Sequence, residues 1–415
     1  MATEEKLYDV IVIGGGASGM MAALVAAERG KNVLILEKNA SLGEKLKITG
    51  GGRCNITNAE DDVHALLRNY GAAKDFLFSA FSQFGVKDTF AFFESRGLPL
   101  VVQARKRAFP RTERALDVSA TLKKSLDAAN VDYALSCEVK KIIHANGAVE
   151  GVRTSKGILK ADSYILATGG MSHPETGSTG DGFKWLEDLG HTVKAATPTI
   201  VPLAVEDAWV KMLAGTSLSF MKISFYLEEK RQFSKVGKVL FTHFGLSGPL
   251  ILNSATKVAE LLEAGPVRAS IDAFPDTDLG ALDDRVVKVF EEHKNKALKN
   301  VLKEIVPLGT TEAIRTLLAE IDFETKVHSI TKDERKQLVH LLKALPIRIT
   351  HLMGYDRAVV ADGGVALEEI DTRTMRSKIL KNLYITGDLL HINRPSGGFS
   401  LQLCWTTGFV AGNAA

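Results

Sequence analysis

The sequence predicts an α/β chain in which a doubly wound, parallel-sheet domain is interrupted by an inserted β-barrel and an α-helical bundle. Three observations support this prediction. A glycine-rich turn between two buried strands opens the chain at 10–37, and buried strands that end in glycine turns follow at 163–170 and 382–388. Between them, from about residue 193, the pattern changes to long alternating strands and then to amphipathic helices.

Length and composition are those of an ordinary globular protein with more than one hydrophobic core. A chain of 415 residues suggests two or three domains. The net charge of +3 gives no compositional argument for binding nucleic acid or an anionic membrane. No apolar run has membrane-spanning length and the N-terminus has no signal-peptide layout, so we expect a cytoplasmic protein without membrane or nucleic-acid partners. Cys54, Cys137 and Cys404 form no CxxC pair, so we expect neither a disulfide framework nor a metal site.

The first motif is a complete βαβ unit. Val10–Ile13 has the composition of a buried strand, and Gly14, Gly16 and Gly19 follow it with GxGxxG spacing. A helix-forming stretch and a second buried strand then lead to Glu37. In such units the first glycine permits a tight turn, the second lets a pyrophosphate approach the backbone, and the third lets helix and strand pack closely. The unit predicts dinucleotide binding, with Glu37 on a ribose diol; the alternative is a glycine-rich turn in an ordinary α/β domain.

Two loops are candidate binding elements. Residues 38–58 show no helix or strand periodicity, and Gly50, Gly51 and Gly52 lie there among small polar and cationic residues. Such a loop suits a phosphate or the polar edge of a ring, and the alternative is a flexible surface loop. Residues 105–114 form a second loop that is rich in lysine and arginine. It is either a solvated face or a site for an anionic substrate or a nicotinamide-cofactor phosphate.

The ends of two later strands favour FAD over NAD as the bound dinucleotide. One buried strand ends in Ala167-Thr-Gly-Gly170, and another ends in Gly387-Asp388 before a helix that starts near Gly398. Ligands of a doubly wound sheet bind beyond the carboxyl ends of its strands, so these ends can converge on one elongated cofactor. A second carboxylate suits the ribityl or pyrophosphate region of FAD, whereas NAD needs no such C-terminal element. The helix near Gly398 would direct its positive end at the flavin pyrimidine edge and stabilise the anionic reduced flavin.

Residues from about 193 to 346 predict the inserted domain. Two long segments, 218–229 and 235–241, have the pattern of antiparallel strands, and amphipathic helices follow them. The last of these helices opens with a capping box from Thr331 to Glu334. The predicted boundaries are 1–192 and 347–415 for a discontinuous FAD-binding domain and 193–346 for the insert, with the barrel at about 193–275 and 344–346 and the bundle at about 276–343.

Taken together, these motifs resemble the HI0933-like flavoproteins, a family of NAD(FAD)-utilising dehydrogenases and aminoacetone-oxidase-like FAD enzymes. The resemblance covers nearly the whole chain and rests on Gly14-Gly-Gly-Ala-Ser-Gly19, Thr49-Gly-Gly-Gly-Arg-Cys-Asn-Ile-Thr-Asn58, Phe109-Pro-Arg-Thr112, Ala167-Thr-Gly-Gly170, Thr176-Gly-Ser-Thr-Gly-Asp-Gly182, Thr242-His-Phe-Gly-Leu-Ser-Gly-Pro249, Gly363-Gly-Val365 and Ser396-Gly-Gly-Phe-Ser-Leu-Gln402. It implies an α/β fold with a discontinuous Rossmann-like FAD-binding domain and an inserted β-barrel plus α-helical bundle.

Three short stretches depart from the pattern that the resemblance leads us to expect. Gly387-Asp388 replaces a Gly-Glu pair, and Leu389-Leu-His-Ile-Asn-Arg394 replaces an Asp-rich continuation. Ala361-Asp362 lies where a pair that contains threonine is expected. These residues are expected near the flavin, where they bear on substrate preference.

The motifs and the resemblance together define the candidate site residues. The candidates for FAD binding are Gly14, Gly16, Ala17, Ser18, Gly19, Glu37, Lys38, Lys45, Thr49, Gly50, Gly51, Arg53, Cys54, Asn55, Val139, Ala167, Thr168, Gly169, Gly387, Asp388, Gly397, Gly398, Phe399 and Ser400. The candidates for catalysis are His243, His391 and Arg394. A histidine can act as an acid or base near neutral pH, and the alternative for each is a hydrogen-bonded structural role. Cys54 either approaches the flavin or fills space.

The sequence therefore predicts an FAD-dependent oxidoreductase that transfers a hydride or electrons between flavin and a small organic substrate. No second GxGxxG follows a strand, so NAD(P)H, as a candidate donor, would bind only transiently at the flavin face. Two alternatives stay open. One is a flavoprotein that modifies RNA, for which the basic loop at 105–114 is the support. The other is a flavin-binding protein without turnover.

Overall fold

The computed structural model describes residues 8–415. The strands are β1 Tyr8–Ile13, β2 Val33–Leu36, β3 Thr57–Asn58, β4 Leu100–Gln103, β5 Arg107–Pro110, β6 Asp132–Ala134, β7 Val139–Ala145, β8 Ala148–Thr154, β9 Gly157–Leu159, β10 Ala161–Leu166, β11 Val193–Thr199, β12 Leu203–Val205, β13 Ser217–Leu227, β14 Lys230–Thr242, β15 Gly245–Ser247, β16 Val267–Asp272, β17 Leu345–Leu352, β18 Val360–Val365 and β19 Leu383–Ile385. The α-helices are α1 Ala17–Glu28, α2 Glu44–Gly52, α3 Val63–Leu67, α4 Lys74–Gln83, α5 Val86–Ser95, α6 Ala115–Ala128, α7 Asp181–Asp188, α8 Ala208–Met212, α9 Pro249–Leu252, α10 Ala255–Ala264, α11 Leu279–Glu292, α12 Leu298–Ile305, α13 Thr311–Leu317, α14 Lys332–Lys343 and α15 Phe399–Ala414.

The chain divides into two compact units. One holds the described part of Met1–Pro198 together with Ala358–Ala415, and the other is Thr199–Arg357. Strands β11 and β18 pair with each other in a small sheet of two strands. The predicted domain boundaries at 192/193 and 346/347 stay predictions.

A parallel sheet of five strands forms the centre of the first unit. Its order is β19-β10-β1-β2-β6, and every neighbouring pair is parallel. Val10–Ile13 of β1 and Val33–Leu36 of β2 are buried throughout. A parallel sheet that is covered on both faces requires continuous apolar strands, which is why the sequence predicts these elements. The fold is therefore the α/β arrangement that the sequence predicts.

Helices α1 and α15 pack against each other at very short range. A Cβ atom added at Gly408 would lie 2.4 Å from the carbonyl oxygen of Ser18. One added at Gly412 would lie 2.3 Å from the carbonyl oxygen of Ala22. Larger residues at these two positions would push the helices apart. This contact joins the N-terminal and C-terminal segments of the first unit.

A closed barrel of six strands forms the centre of the second unit. Its order is β12-β15-β14-β13-β16-β17, and the neighbouring strands are antiparallel. Phe225, Phe241 and Ile271 are among its fully buried side chains. Closure leaves no free sheet edge within the barrel, so its backbone groups are paired.

Helices α11 to α14 accompany this barrel and bury one face each. Leu282, Val286 and Phe290 are the buried residues of α11. Helix α14 begins with the predicted capping box: Thr331 N donates to Glu334 Oε2 at 2.8 Å, and Glu334 N donates to Thr331 Oγ1 at 3.2 Å. The prediction of a barrel followed by a helical bundle is therefore confirmed.

Three segments differ from the sequence-based expectation. Residues 44–52, expected as a loop, form helix α2, although the backbone angles of Thr49, Gly50 and Gly51 are not helical. The basic segment 105–114 is not one loop, because β5 pairs with β4 in a hairpin. The pattern of residues 247–264 predicts one helix, but in the structure this stretch is interrupted between α9 and α10. Helix α2 has nine residues, three of which are not helical, and β4, β5 and α9 have four residues each. Elements this short do not establish a periodicity.

Candidate active site

The carboxyl ends of the parallel strands carry many of the predicted cofactor residues. Gly14 follows β1, Glu37 follows β2, Ala167 follows β10, and Gly387 lies just beyond β19. Because the strands are parallel, these ends lie at one edge of the sheet. Ala167 N donates to Ile13 O at 2.8 Å, which joins the ends of β10 and β1 directly. The fold thus brings together residues from four distant stretches of the chain.

The glycine turn after β1 leaves open space at the N-terminus of α1. Gly14 has a φ of +105°, and a Cβ atom there would lie 2.5 Å from Ala167 O. A Cβ atom at Gly19 would lie 1.9 Å from Gly14 O, so only glycine permits this close packing of α1 on the turn. At Gly16 an added Cβ atom would meet nothing within 4 Å in the described part of the chain. Helix α1 has no side-chain cap, so its free N–H groups can bind an anion in this space.

Glu37 is buried and held in place by two backbone N–H groups. Its side chain is turned so that Oε2 accepts from Gly15 N at 2.8 Å and Oε1 accepts from Asn39 N at 2.7 Å. Each carboxylate oxygen can accept a second hydrogen bond, which leaves capacity for ribose hydroxyls. The orientation of this carboxylate is therefore set by the protein itself.

Lys38 and Val139 are two further predicted cofactor residues near the end of β2. Lys38 Nζ lies 2.8 Å from Asp181 Oδ2, so its charge has a partner within the first unit. Cys137 N donates to Glu37 O at 2.9 Å. This bond brings the start of β7, with the buried Val139, close to the end of β2. Both residues stay candidates for cofactor contact.

The segment after α2 and the start of α15 form a second group of predicted cofactor residues. The side-chain oxygen of Asn55, with the amide oriented to satisfy its neighbours, accepts from Gly398 N at 2.9 Å. Asn58 Nδ2 donates to Gly397 O at 3.1 Å. A Cβ atom at Gly398 would lie 2.3 Å from the carbonyl carbon of Thr57. Residues 55–58 and 397–398, more than 300 positions apart in the chain, therefore form one corner of the first unit.

Within this corner the glycines turn the chain and Arg53 is held by packing. Gly50 and Gly51 have φ values of +59° and +67°. The Arg53 guanidinium lies 4.4 Å from the centre of the Phe109 ring, and Arg53 Nε lies 2.9 Å from Glu113 Oε2. Arg53 Nη2 donates to Gln103 Oε1 at 2.7 Å, although within residues 8–415 its buried Nε makes no hydrogen bond. The three glycines leave backbone exposed for a ligand.

Cys54 is fully buried in this corner, and burial raises the pKa of its thiol to about 12. We expect iodoacetamide at pH 8 to leave Cys54 unmodified in the folded protein, because the thiol is protonated and shielded from solvent. Unfolding in guanidinium chloride should make it react, and peptide mass mapping measures both states. Rapid alkylation of Cys54 in the folded protein would show instead that this corner opens.

Thr168 carries a buried hydroxyl that has no partner. Its Oγ1 atom makes no hydrogen bond within residues 8–415. Buried polar groups are nearly always paired, so a ligand atom fits at this position. The open space at Gly16 and this hydroxyl lie at the same edge of the sheet, and both fit a bound dinucleotide.

Asp388 and Arg394, which follow β19, form a largely enclosed charge cluster with Lys45 of α2. Arg394 Nη2 donates to Asp388 Oδ1, and Lys45 Nζ lies 3.7 Å from Asp388 Oδ2. Arg394 Nη1 donates to Ile392 O at 2.7 Å, and its Nε donates to Ser400 Oγ at 3.1 Å. Burial alone raises the pKa of Asp388, but the Arg394 guanidinium and the Lys45 ammonium outweigh it and hold that pKa below its usual value.

His391 pairs with a carboxylate that sequence reasoning did not assign to it. His391 Nε2 lies 3.6 Å from Asp362 Oδ1, and the histidine side chain is 34% exposed. His391 N donates to Val365 O at 3.2 Å, which aligns its segment with β18. Both residues depart from the pattern expected in the resemblance, and these simultaneous departures were the signal that could have linked them.

His243 belongs to the second unit, at the turn between β14 and β15. Its ring packs edge-on against Phe244, with 4.9 Å between ring centres. His391 and Arg394 lie three residues apart in the first unit. The catalytic roles of these three residues stay predictions.

Comparison with known proteins gives the family. A model of the HI0933-like protein Rossmann domain matches residues 8–414. The chain belongs to the HI0933-like family. Its relatives include the 3-dehydro-bile acid delta(4,6)-reductase of Clostridium scindens, which is 29% identical over 411 residues that cover 97% of this chain and 98% of that protein. The ribosomal RNA dihydrouridine synthase of Escherichia coli is 26% identical over 414 residues, which cover 97% of this chain and 96% of that protein.

Solved structures agree with this family assignment at the level of the fold. The open conformation of a flavocytochrome c3 fumarate reductase matches with a TM-score of 0.56 at 16% identity, over 100% of this chain and 78% of that chain. HI0933-like proteins are FAD enzymes, and this member is an FAD-dependent oxidoreductase with FAD as its cofactor. In the part of the chain that the structure describes, no helix is both long and apolar enough to span a membrane.

Proposed function

We propose that this protein reduces a carbon–carbon double bond conjugated to a carbonyl group in a small organic molecule, with NAD(P)H as the electron donor. The names of two relatives that match over nearly their full length imply this chemistry. A delta(4,6)-reductase of a 3-dehydro bile acid saturates double bonds conjugated to a ketone. A dihydrouridine synthase saturates the uracil double bond conjugated to a ring carbonyl. The two substrates differ, but the bond that is reduced has the same environment.

A bound FAD supplies the hydride in such a reaction. The turn around Gly16, together with Glu37, would hold the adenosine and pyrophosphate part. Segments 49–55 and 397–400 would hold the flavin. The protein must also stabilise the charge that develops on the substrate carbonyl and deliver a proton to the neighbouring carbon.

The His391–Asp362 pair is the observation in the structure that best supports this proposal. His391 lies in the segment that follows β19, three residues beyond the cofactor candidate Asp388, and Asp362 lies on β18. A partly exposed histidine can give a proton to a substrate, and a carboxylate beside it can orient the ring. Arg394 is buried and fully paired, so it suits a positioning role better than contact with the substrate.

Anaerobic spectroscopy of the FAD-loaded protein tests the proposal. We expect NADH or NADPH to remove the visible absorbance of the oxidised flavin. A conjugated enone should then restore that absorbance, whereas the corresponding saturated ketone should not. Failure of every conjugated alkene to reoxidise the flavin would contradict the proposal.

A second candidate is the same reduction on a uracil of ribosomal RNA. The Escherichia coli relative favours it, and so does the hairpin of β4 and β5. At its tip Arg105 and Lys106 have φ values of +62° and +56°, a strained conformation for such residues. Asn58 Nδ2 donates to both Arg105 O, at 3.3 Å, and Gly397 O, at 3.1 Å. The cationic tip therefore adjoins the start of α15.

Substitution of Arg105 separates the two candidates. We expect Arg105→Glu to change turnover of a neutral enone by less than about twofold, because the reduction needs no cation there. With an RNA substrate the same change should weaken binding and lower the slope of its salt dependence by about one unit.

Undermodified ribosomal RNA, with dihydrouridine detected by mass spectrometry, serves as the second substrate in the same experiment. Lys124→Glu, an equal change of charge on the exposed side of α6, is the matched control. Dihydrouridine formation that depends on Arg105 but not on Lys124 would replace the small-molecule proposal with the RNA candidate.

A further inference from the structure

The largely enclosed cluster of Lys45, Asp388 and Arg394 holds one positive charge in excess. The side chains of Arg394, Asp388 and Lys45 are 2%, 14% and 25% exposed. Within residues 8–415, Asp388 is the only carboxylate that pairs with either cation. The other partners of Lys45 Nζ are the neutral oxygens of Ser172, at 2.9 and 3.2 Å. An uncompensated charge is costly away from water, so this cluster favours an anion beside it.

Arg394 donates hydrogen bonds to two predicted cofactor residues. Its Nη2 donates to Asp388 and its Nε donates to Ser400. Because Arg394 is almost entirely enclosed, a ligand would meet Asp388 and Ser400 and not the guanidinium itself. Its charge and its hydrogen bonds therefore act through those two residues.

Reduction of flavin creates the kind of anion that this cluster favours. Hydride transfer from a nicotinamide adds two electrons and one proton to the oxidised ring, which then carries one negative charge. A positive charge in a poorly hydrated site stabilises that form relative to the neutral oxidised ring. The step from the cluster to the flavin rests on the proposed function, in which segments 49–55 and 397–400 hold the flavin.

We infer that Arg394 is a positioning residue that raises the reduction potential of the bound FAD through its pair with Asp388. The excess charge makes hydride transfer from a nicotinamide donor to the flavin more favourable. The ion pair also keeps the Asp388 carboxylate from cancelling the charge of Lys45. Arg394 thus sets how readily the flavin is reduced, while it makes no contact with the substrate.

The midpoint potential of the bound FAD, measured by anaerobic titration against redox dyes, tests this inference. For Arg394→Gln we expect the equilibrium constant of two-electron reduction to fall at least about tenfold, which lowers the potential by about 30 mV. Arg394→Lys keeps the charge and should retain most of the potential. Asp388→Asn removes the negative charge, so its potential should shift upward.

Controls distinguish this electrostatic role from a purely structural one. Arg96→Gln removes a cation of the same unit that pairs with Glu28 outside the cluster, and it should leave the potential unchanged. FAD content and melting temperature are measured for each variant. A purely structural Arg394 would change these two quantities without moving the potential of the FAD that stays bound.

The outcomes for this inference and for the proposed function are separable. Equal potentials in the unchanged protein and in Arg394→Gln overturn the inference. If Arg394→Gln does not retain FAD, Lys45→Gln is measured instead, because it removes the same excess charge. An unchanged potential in Lys45→Gln also overturns the inference. If the protein is an active reductase but its potential does not depend on Arg394, the proposed function stands and the inference fails. If the unchanged protein binds no FAD, both the inference and the proposed function are refuted.

Discussion

Gly16→Val is expected to yield a folded protein that no longer retains FAD. Gly16 has a φ of −80°, which valine can adopt, and an added Cβ atom enters space that is empty in the described part of the chain. The valine side chain would occupy the space where the pyrophosphate is expected and cover the N-terminus of α1. We expect FAD affinity to fall at least about a hundredfold, or about 2.8 kcal/mol.

Fluorescence titration of the apoprotein with FAD measures this loss, and thermal unfolding without FAD checks the fold. Gly280→Val is the matched control, because this exposed glycine lies in the first turn of α11 in the other unit. It should retain FAD affinity within about twofold. Tight FAD binding by Gly16→Val would show that the pyrophosphate lies elsewhere.

Gly412→Val is expected to destabilise the first unit by about 3 kcal/mol or more. A Cβ atom at this position would lie 2.3 Å from the carbonyl oxygen of Ala22, and neighbouring backbone atoms of α1 cannot move aside without disrupting the sheet beneath. Helices α1 and α15 would have to separate along their contact. The residues that follow β19 and lead into α15 would then lose their alignment with the end of β1.

Thermal unfolding of the apoprotein measures this effect, with a midpoint that we expect to fall by roughly 6–12 °C. Asn413→Ala changes the adjacent but exposed position of α15 and should shift the midpoint by less than about 1 °C. If Gly412→Val unfolds at the temperature of the unchanged protein, α1 and α15 are not packed as closely as the structure shows.

Local signals were sufficient for the larger elements of the fold. Val10–Ile13 and Val33–Leu36 are continuous apolar runs because both faces of the sheet are covered, and that property is visible in the sequence. The alternation over 218–229 and 235–241 predicts the barrel strands β13 and β14, although β14 begins earlier than predicted, at Lys230. Helix α2 and the hairpin of β4 and β5 were missed, because a few residues do not establish a period.

The part of the candidate site that lies within one local motif could be predicted from the sequence. GxGxxG spacing places Gly14, Gly16 and Gly19 on a single turn, and the structure assigns close packing to the first and last and open space to the middle one. Glu37 follows from the same βαβ unit. These relations depend on neighbours in the chain, so the sequence alone determines them.

Pairings between distant segments required the tertiary structure. The sequence identified Asp388, His391 and Arg394 as candidates, but not the pairing of His391 with Asp362 or of Arg394 with Asp388 and Ser400. Those pairings depend on side-chain directions and on how β18 aligns with the segment after β19.

The sequence by itself determined the α/β class, the inserted barrel and bundle, the family resemblance and the choice of FAD, because each is encoded in local periodicity or in motifs of consecutive residues. Only the tertiary structure decided that the triple-glycine segment and the start of α15 form one corner, and that two cations and one carboxylate share one cluster. Such contacts arise when the order of strands in a sheet brings distant residues to the same edge, and no local pattern carries that information.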